Sequence, residues 1–388
     1  MPRLPDTDLI HGAPAPDMVV IPATPGIFRT SAALFADRQA WRQWGASPRP
    51  EPAYGSFASA TVAALEQRVA RLEQAAHGVL CPSGISAISL VYQVALLPGD
   101  EVLVPANVYP GHRHFVMNEM ARLGVGVRVY DPTDLSTLEF GEATTLVWVE
   151  LPGSFTFEVP DIPALCAAAH EHGALVALDT TWGAGVAYAG FDFDIDFAVQ
   201  SLSKFACGTS EVIMGSVATR DPALDEALRL ARHRYGLHVS PMDAATVIAG
   251  LQSLGVRYRA QDAAARRVAE FLAAQPEVAQ VLHPGLESRP GHAFWRRDCR
   301  AAAGLLSIVL RTGLGDEWLD RLLDGLRLFR LGYGWGGATS LVMSYDADTV
   351  VRLDDSTGQL LRFAIGLEDA TDLLADLESA FRTARGES

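Results

Sequence analysis

Lysine is almost absent from this chain. Of its 31 basic residues one is lysine, at position 204, and all the others are arginine. Arginine serves as well as lysine for solvation, surface ion pairs and helix ends, but its guanidinium stays protonated. A desolvated lysine can shed its proton and act as an amine nucleophile. An arginine-rich composition that leaves one surface lysine behind accounts for the number equally well, so the neighbours of Lys204 must decide. The chain also has no basic run, and its formal charge of −15 argues against nucleic acid or an anionic membrane surface as a partner. No apolar run reaches membrane-spanning length. The opening "MPRLPDTDLIHGAPAPDMVV" carries prolines and aspartates where a secretory leader needs an apolar core. The expectation is a soluble, cytoplasmic protein acting on a small molecule. Cys81, Cys166, Cys207 and Cys299 form no C-x-x-C pair, which excludes a zinc knuckle and gives no sign of a disulfide framework. Walker A, G-x-G-x-x-G and G-x-S-x-G patterns are missing too, so ATP, dinucleotides and a serine-hydrolase elbow are disfavoured.

What is present is a chain of 388 residues, 49% hydrophobic and 20% charged, long enough for two domains. Residues 1–54 are proline-rich with one short helix near "SAALFADRQAWRQWG" and read as an arm that packs against something else. From about residue 61 helical and strand-like segments alternate: helix "TVAALEQRVARLEQAA", strand "HGVLCP", helix "SAISLVYQVALL", strand "EVLVPA", helix "HRHFVMNEMARLG", strands "GVRVYD" and "TLVWVEL", helix "IPALCAAAHEHG", strands "ALVALD" and "FAVQSL". Short apolar strands between amphipathic helices predict an α/β domain over 55–250, its largely parallel sheet covered on both faces. The helix "RAQDAAARRVAEFLAAQ", strand "LLSIVLR", helix "DEWLDRLLDGL", strand "LRFAIGL" and a last helix predict a smaller α+β domain over 251–388.

Ligands of an open parallel sheet sit at the carboxyl ends of its strands, and the residues there converge on one chemistry. Asp179 closes "ALVALD". A carboxylate there serves to cap the next helix, or to keep a heterocyclic nitrogen protonated, as the pyridine of pyridoxal 5'-phosphate (PLP) requires. Ser201 and Ser203 flank the end of strand "FAVQSL" at i and i+2, a spacing that puts their hydroxyls on the same side, and hydroxyls just before a lone lysine suit a phosphate tethered beside an amine. "CPSGISAISL" runs from a strand through Gly84 into a helix, a helix start whose N–H groups and dipole can bind phosphate. Tyr109 follows "EVLVPANVY" and can stack on a planar ring or simply sit in a surface turn. Arg362 interrupts the apolar strand "LLRFAIGL", where a half-buried guanidinium needs a carboxylate, either structural or that of an amino-acid substrate.

On these residues a resemblance can be stated. "YGSFASATVAALEQRVARLE", "CPSGISAI", "LDTTWGAGV", "SLSKFACGTSEVIMGS", "GYGWGGATSL" and "RFAIGLED" resemble the Cys/Met-metabolism class of fold-type I PLP-dependent enzymes. "TTWGAG" with "YGWGG" is most similar to its cystathionine β-lyase branch. The resemblance spans about residues 8–381 and implies a transferase-like fold with a mostly parallel seven-stranded sheet in the large domain. By it, Lys204 bonds the cofactor aldehyde and later moves protons, while Asp179 pairs with the ring nitrogen. Gly84 and Ile85 offer N–H groups, and Ser201 and Ser203 hydroxyls, to the phosphate. Tyr109 stacks on the ring, Arg362 clamps the substrate carboxylate, Tyr333 and Trp335 line the substrate pocket, and Tyr54 reaches in from a neighbouring subunit. The implied assembly is a homo-oligomer, a dimer of dimers, with the N-terminal arm as a cross-subunit element. The implied reaction is β-elimination from cystathionine to homocysteine, pyruvate and ammonia. Its rivals are γ-elimination, γ-replacement, a specialised cysteine-conjugate lyase, and a non-catalytic paralogue.

The departures are specific. Where the family usually has Tyr-x-Arg, this chain has Tyr54-Gly55-Ser56, so a charge that braces the phosphate is missing; Arg49 and Arg113 are the candidates to replace it. After the lysine, Gly208-Thr209-Ser210-Glu211 stands for the family's Gly-His-Ser-Asp. The pairs His112/His114 and His170/His172 have i, i+2 spacing, which points the rings apart on a helix, so no metal is expected. Asp192, Asp194 and Asp196 in "FDFDIDF" mimic an EF-hand start, yet the turn glycine is missing and Ser203 stands at the closing position. That stretch reads as the lead-in to a strand.

Overall fold

The computed structural model describes Thr7, Ile10 and residues 24–46, 54–345 and 358–387. A first sheet has seven strands: β1 (His77–Cys81), β2 (Glu101–Pro105), β3 (Gly126–Tyr130), β4 (Thr144–Glu150), β5 (Leu175–Asp179), β6 (Phe197–Gln200) and β7 (Gly215–Thr219). Their spatial order is β1-β7-β6-β5-β4-β2-β3. Pairs β6/β5, β5/β4, β4/β2 and β2/β3 are parallel, while β7 runs antiparallel to both neighbours. Every residue of β6 and β7 is buried, as apolar strands covered on both faces must be. One core holds Val147, Val149 and Leu178; the other holds Trp148, Ala177 and Val199, the alternation of a strand with two buried faces. The "GSVAT" strand is the seventh, which the apolar pattern alone did not single out: four of its five residues are glycine, serine, alanine and threonine, with Val217 its one large apolar side chain.

The lead-in reading of "FDFDIDF" agrees with the structure, β6 beginning at Phe197. Asp196 accepts the Val176 N–H at 2.7 Å and meets His170 at 3.1 Å, while Asp192 pairs with Arg300 at 3.0 Å. Asp194 meets the other ring nitrogen of His170 at 3.3 Å, so the three aspartates tie the loop to the fold. His112 is buried and hydrogen-bonded through Nε2 to the Tyr92 hydroxyl at 2.7 Å, whereas His114 is exposed. Burial pushes the His112 ring down to about 3, so it is neutral. Among the described residues no cluster of three metal-ligating side chains exists, and no helix is long and apolar enough to cross a membrane.

A second sheet contains β8 (Val278–Leu282), β9 (Leu305–Leu310), β10 (Arg330–Leu331), β11 (Leu341–Tyr345) and β12 (Leu360–Ala364), in the order β10-β11-β12-β9-β8. Its own core includes Leu306, Phe329, Phe363 and Phe381. Arg362 sits on the central strand β12, opposite Met343 of β11 and Ser307 of β9. Helices Pro241–Leu251 and Leu254–Ala273 lead into this region. The first of these, strands β8, β10 and β11, and helix His292–Asp298 go beyond the elements the sequence pattern yielded. In the arm, the expected helix spans Arg38–Gly45, started by the Asp37 side chain, and Thr7 and Ile10 are helical too.

Candidate active site

The carboxyl ends of β1, β2, β4, β5 and β6 open on one cavity of about 790 Å³. Cys81 of β1 leads to Ser83, whose hydroxyl accepts the Ser86 N–H at 3.1 Å and so caps helix Gly84–Ala95. That bond takes the third helical N–H and leaves those of Gly84 and Ile85 at the cavity without intrahelical partners. Only glycine fits at 84, since a Cβ there would lie 2.9 Å from the Ser201 Cβ. Helix start and serine turn therefore touch, forming a cradle with hydroxyls and N–H groups.

The serines themselves correct part of the sequence argument. Strand β6 ends at Gln200 and residues 202–207 are turns, so strand alternation does not put Ser201 and Ser203 on one side. Both line the cavity, but by way of the turn. The Ser201 N–H donates to Thr181 Oγ1 at 2.8 Å. The Ser203 hydroxyl donates to Met214 O at 3.1 Å and accepts its N–H at 3.0 Å, so its proton is already engaged.

Lys204 lies in this turn, its N–H donating to Ser201 O at 3.3 Å and its carbonyl accepting from Gly208 at 2.9 Å. Its Nζ stands 5.5 Å from the centre of the Trp335 ring. Burial, with the Arg362 charge, lowers its proton affinity below that of an ordinary lysine, against the pull of Asp179. The loop carrying Tyr333 and Trp335 is pressed onto this turn: a Cβ at Gly336, where φ is +80°, would lie 2.6 Å from Phe205 N.

Asp179 ends β5, accepts the Thr181 N–H at 2.9 Å, and lies opposite Glu150 in the β4/β5 register. Burial pushes the Asp179 carboxyl up, with Thr181 and Lys204 opposing. Glu150, missed by the sequence reading, is pushed up further, by burial and then by Asp179. It accepts the Tyr109 N–H at 2.7 Å and the Ser154 hydroxyl at 3.2 Å, which fixes where Tyr109 stands. The sequence shows only a glutamate closing the strand "TLVWVEL"; its place beside Asp179 comes from the strand register. The Tyr109 ring folds back over Gly111, where a Cβ would lie 2.6 Å from it.

Arg362 reaches the cavity from β12, and no ion pair engages its guanidinium among the described residues; burial lowers its proton affinity, with Tyr345 and Tyr109 opposing. The structural-carboxylate reading of Arg362 thus finds no partner there. Tyr54 lies outside the cavity, exposed and bridged to Ala32; Ser56 is in the adjoining turn. Arg49 is outside the described residues. Arg113, on helix Pro110–Phe115, does not line the cavity, and its Nη1 is buried without a hydrogen-bond partner among the described residues.

Behind the site, Glu73 is fully buried and accepts from Thr180 Oγ1 at 2.7 Å, Gln200 Nε2 at 3.0 Å and Gly190 N at 2.7 Å, pinning the segments after β5 and β6. Burial outweighs these donors and pushes its carboxyl up to about 7. A raised value means the neutral form is favoured on folding, so this contribution is complete below the unfolded value. It is lost as pH rises through about 7. The shift corresponds to about 3 kcal/mol. Thermal unfolding of the cofactor-free protein is therefore expected to weaken between pH 5 and 8, and Glu73→Gln to flatten that slope while costing the Gly190 bond; an unchanged slope would refute the assignment.

The cavity fits PLP on its own terms. It offers one aminic nucleophile, a strand-end carboxylate, a helix start backed by a serine turn, and a guanidinium with no ion pair among the described residues. The comparisons agree. Residues 6–382 match the profile of the family described as Cys/Met metabolism PLP-dependent enzyme. The chain is 35% identical to the cystathionine beta-lyase of Escherichia coli over 84% of its length and 85% of that protein. It is likewise 35% identical to the cystathionine beta-lyase of Bordetella avium over 84% and 83%. A crystal structure of cystathionine gamma synthase from Xanthomonas oryzae pv. oryzae, in complex with cystathionine, superimposes with a TM-score of 0.90 at 28% identity, covering all of both chains.

Proposed function

Since the chain belongs to the Cys/Met metabolism PLP-dependent enzyme family, we propose that it is a carbon–sulfur lyase that performs β-elimination on a sulfur-containing amino acid, cystathionine first among them. The observation that carries this reading is the position of the sole lysine, with its amine beneath Trp335 in the cavity shared by Asp179 and Arg362. The β-lyase relatives at 35% identity support the reaction type.

When bound, PLP supplies an electron sink that weakens the bonds at the amino acid's Cα. The protein's own groups do the rest. Asp179 would hold the ring nitrogen's proton, and Tyr109 would cover the ring face. Gly84 and Ile85 N–H groups with the Ser201 hydroxyl would hold the phosphate; Ser203 would join them by turning its hydroxyl away from Met214. Arg362 would bind the substrate carboxylate and so orient Cα–H toward Lys204. Lys204, easily deprotonated because it is buried beside Arg362, takes the Cα proton as general base. Breakage of the Cβ–S bond then releases homocysteine, and hydrolysis of the remaining three-carbon unit yields pyruvate and ammonia. Tyr333 and Trp335 would shape the pocket around the departing thiol. In the oligomer, Tyr54 with the N-terminal arm, residues 1–54, would complete the neighbouring subunit's site. Ser56 contributes no charge there, so within one chain the described groups that would hold the phosphate are hydrogen-bond donors and the helix dipole.

The test is the 2-oxo acid formed from L-cystathionine by the PLP-loaded protein. Pyruvate is expected. Appearance of 2-oxobutyrate instead assigns γ-elimination, and neither product with an intact cofactor spectrum removes cystathionine lyase activity altogether.

A further inference from the structure

Arg362 carries its charge into the cavity with no carboxylate paired to it among the described residues, and aromatic rings stand against it. Its guanidinium carbon lies over the Phe155 ring at 5.2 Å and over the Tyr345 ring at 5.3 Å. The two rings meet edge to face, with centroids 4.4 Å apart and an interplanar angle of 61°. Both rings line the same cavity as Arg362 and are almost wholly buried. Aromatic rings attract a guanidinium most strongly when water is excluded; with their centroids only 4.4 Å apart, both rings lie on one side of the Arg362 guanidinium and can steady it without replacing its N–H edge. That edge is the part that forks onto a carboxylate.

The backbone holding Phe155 is costly, and its surroundings maintain it. Phe155 and Phe157 have φ of +64° and +58°, a region that bulky residues avoid and that persists where neighbours over-determine it. Here Asn107 O accepts the Ser154 N–H at 2.9 Å, Gly153 N donates to Glu158 O at 3.0 Å, and Phe157 N to Gly153 O at 3.2 Å. Glu158 is bonded by Asn107 Nδ2 at 2.9 Å and Thr156 Oγ1 at 2.6 Å. Arg289 donates to Thr156 O at 2.9 Å. Both strained phenylalanines belong to the buried core and also line the cavity wall.

We infer that Phe155 and Tyr345 form an aromatic clamp that positions the Arg362 guanidinium for the α-carboxylate of the amino-acid substrate. This rests on the reading of Arg362 as the carboxylate-binding group. The clamp residues are positioning residues: they act through Arg362, and the loop strain keeps Phe155 over its face.

The test uses PLP-loaded protein and two ligands that lack a leaving group, L-alanine and L-alaninamide, titrated at equilibrium through the absorbance of the bound cofactor. Phe155→Leu and Tyr345→Leu are each expected to weaken L-alanine roughly tenfold, the scale of a desolvated cation–π contact, and to leave L-alaninamide unchanged. Phe155→Tyr and Tyr345→Phe, which keep the rings, should stay within about twofold of the parent. Equal losses for acid and amide, or no loss, overturn the clamp. If Arg362→Ala itself weakens acid and amide alike, it is the reading of Arg362 that has failed. Should leucine at 155 prevent folding, Tyr345→Leu, on the regular strand β11, carries the test alone.

Discussion

Lys204→Ala is expected to fold and to lose about 10^3-fold or more in turnover, because one substitution removes both the amine that bonds the cofactor and the base that moves the proton. Lys204→Arg should fail equally. Arginine keeps the charge beside Asp179 and much of the packing under Trp335, but its guanidinium cannot be deprotonated. The arginine variant thus separates chemistry from electrostatics, which alanine alone does not. The chain's composition makes the test unusually clean: with no second lysine in the sequence, borohydride reduction of PLP-loaded protein should label a single internal peptide, the one containing Lys204. Either variant retaining more than a tenth of the parent's turnover, or label on another internal peptide, would sink the assignment.

Much of this site was legible because its chemistry depends on residue types that have few other reasons to be where they are. A sole lysine after two serines, an aspartate closing an apolar strand, and an arginine inside another apolar strand are each costly or peculiar choices. Ten of the residues picked on such grounds, or through the resemblance, line one cavity. What stayed hidden was set by contacts between distant segments. Glu150 gains meaning from its register with Asp179 and its bond to Tyr109, neither visible in "VWVELP". Phe155 and Phe157 gave no signal in the sequence, and their positive φ values appear only in the fold. Strand β7 hid because small and polar residues surround its one valine, and β10, with two residues, has no period to detect. Ser201 and Ser203 reached the right place for a wrong reason: a turn rather than strand alternation brings them to the cavity. The serine that replaces the family's arginine at 56 was legible, but its consequence belongs to an assembly that one chain does not contain.

Asp179→Asn is the second large effect, expected at roughly 10^2–10^3-fold in turnover, the scale on which removing one pre-organised electrostatic partner acts. Asparagine keeps the shape and can still accept the Thr181 N–H, but it cannot neutralise a protonated ring nitrogen. The pH dependence is sharper evidence than the rate. In the cofactor-free protein burial raises the Asp179 carboxyl above its ordinary range, so it takes up a proton earlier than usual as pH falls. Pairing with a protonated nitrogen needs the anion, so PLP affinity should grow as pH rises through that raised value, and the affinity of Asp179→Asn should lack this rise. Stability of the cofactor-free protein runs the other way. A carboxyl whose folded value is raised contributes stability at low pH that is lost as pH rises, and Glu73 and Glu150, raised as well, add to the same trend. The empty protein should therefore weaken over the pH range in which it binds its cofactor more tightly, so that PLP stabilisation, measured as the rise in Tm on loading, increases with pH. If Asp179→Asn binds PLP with the parent's affinity at every pH, this carboxylate is not the partner of the ring nitrogen.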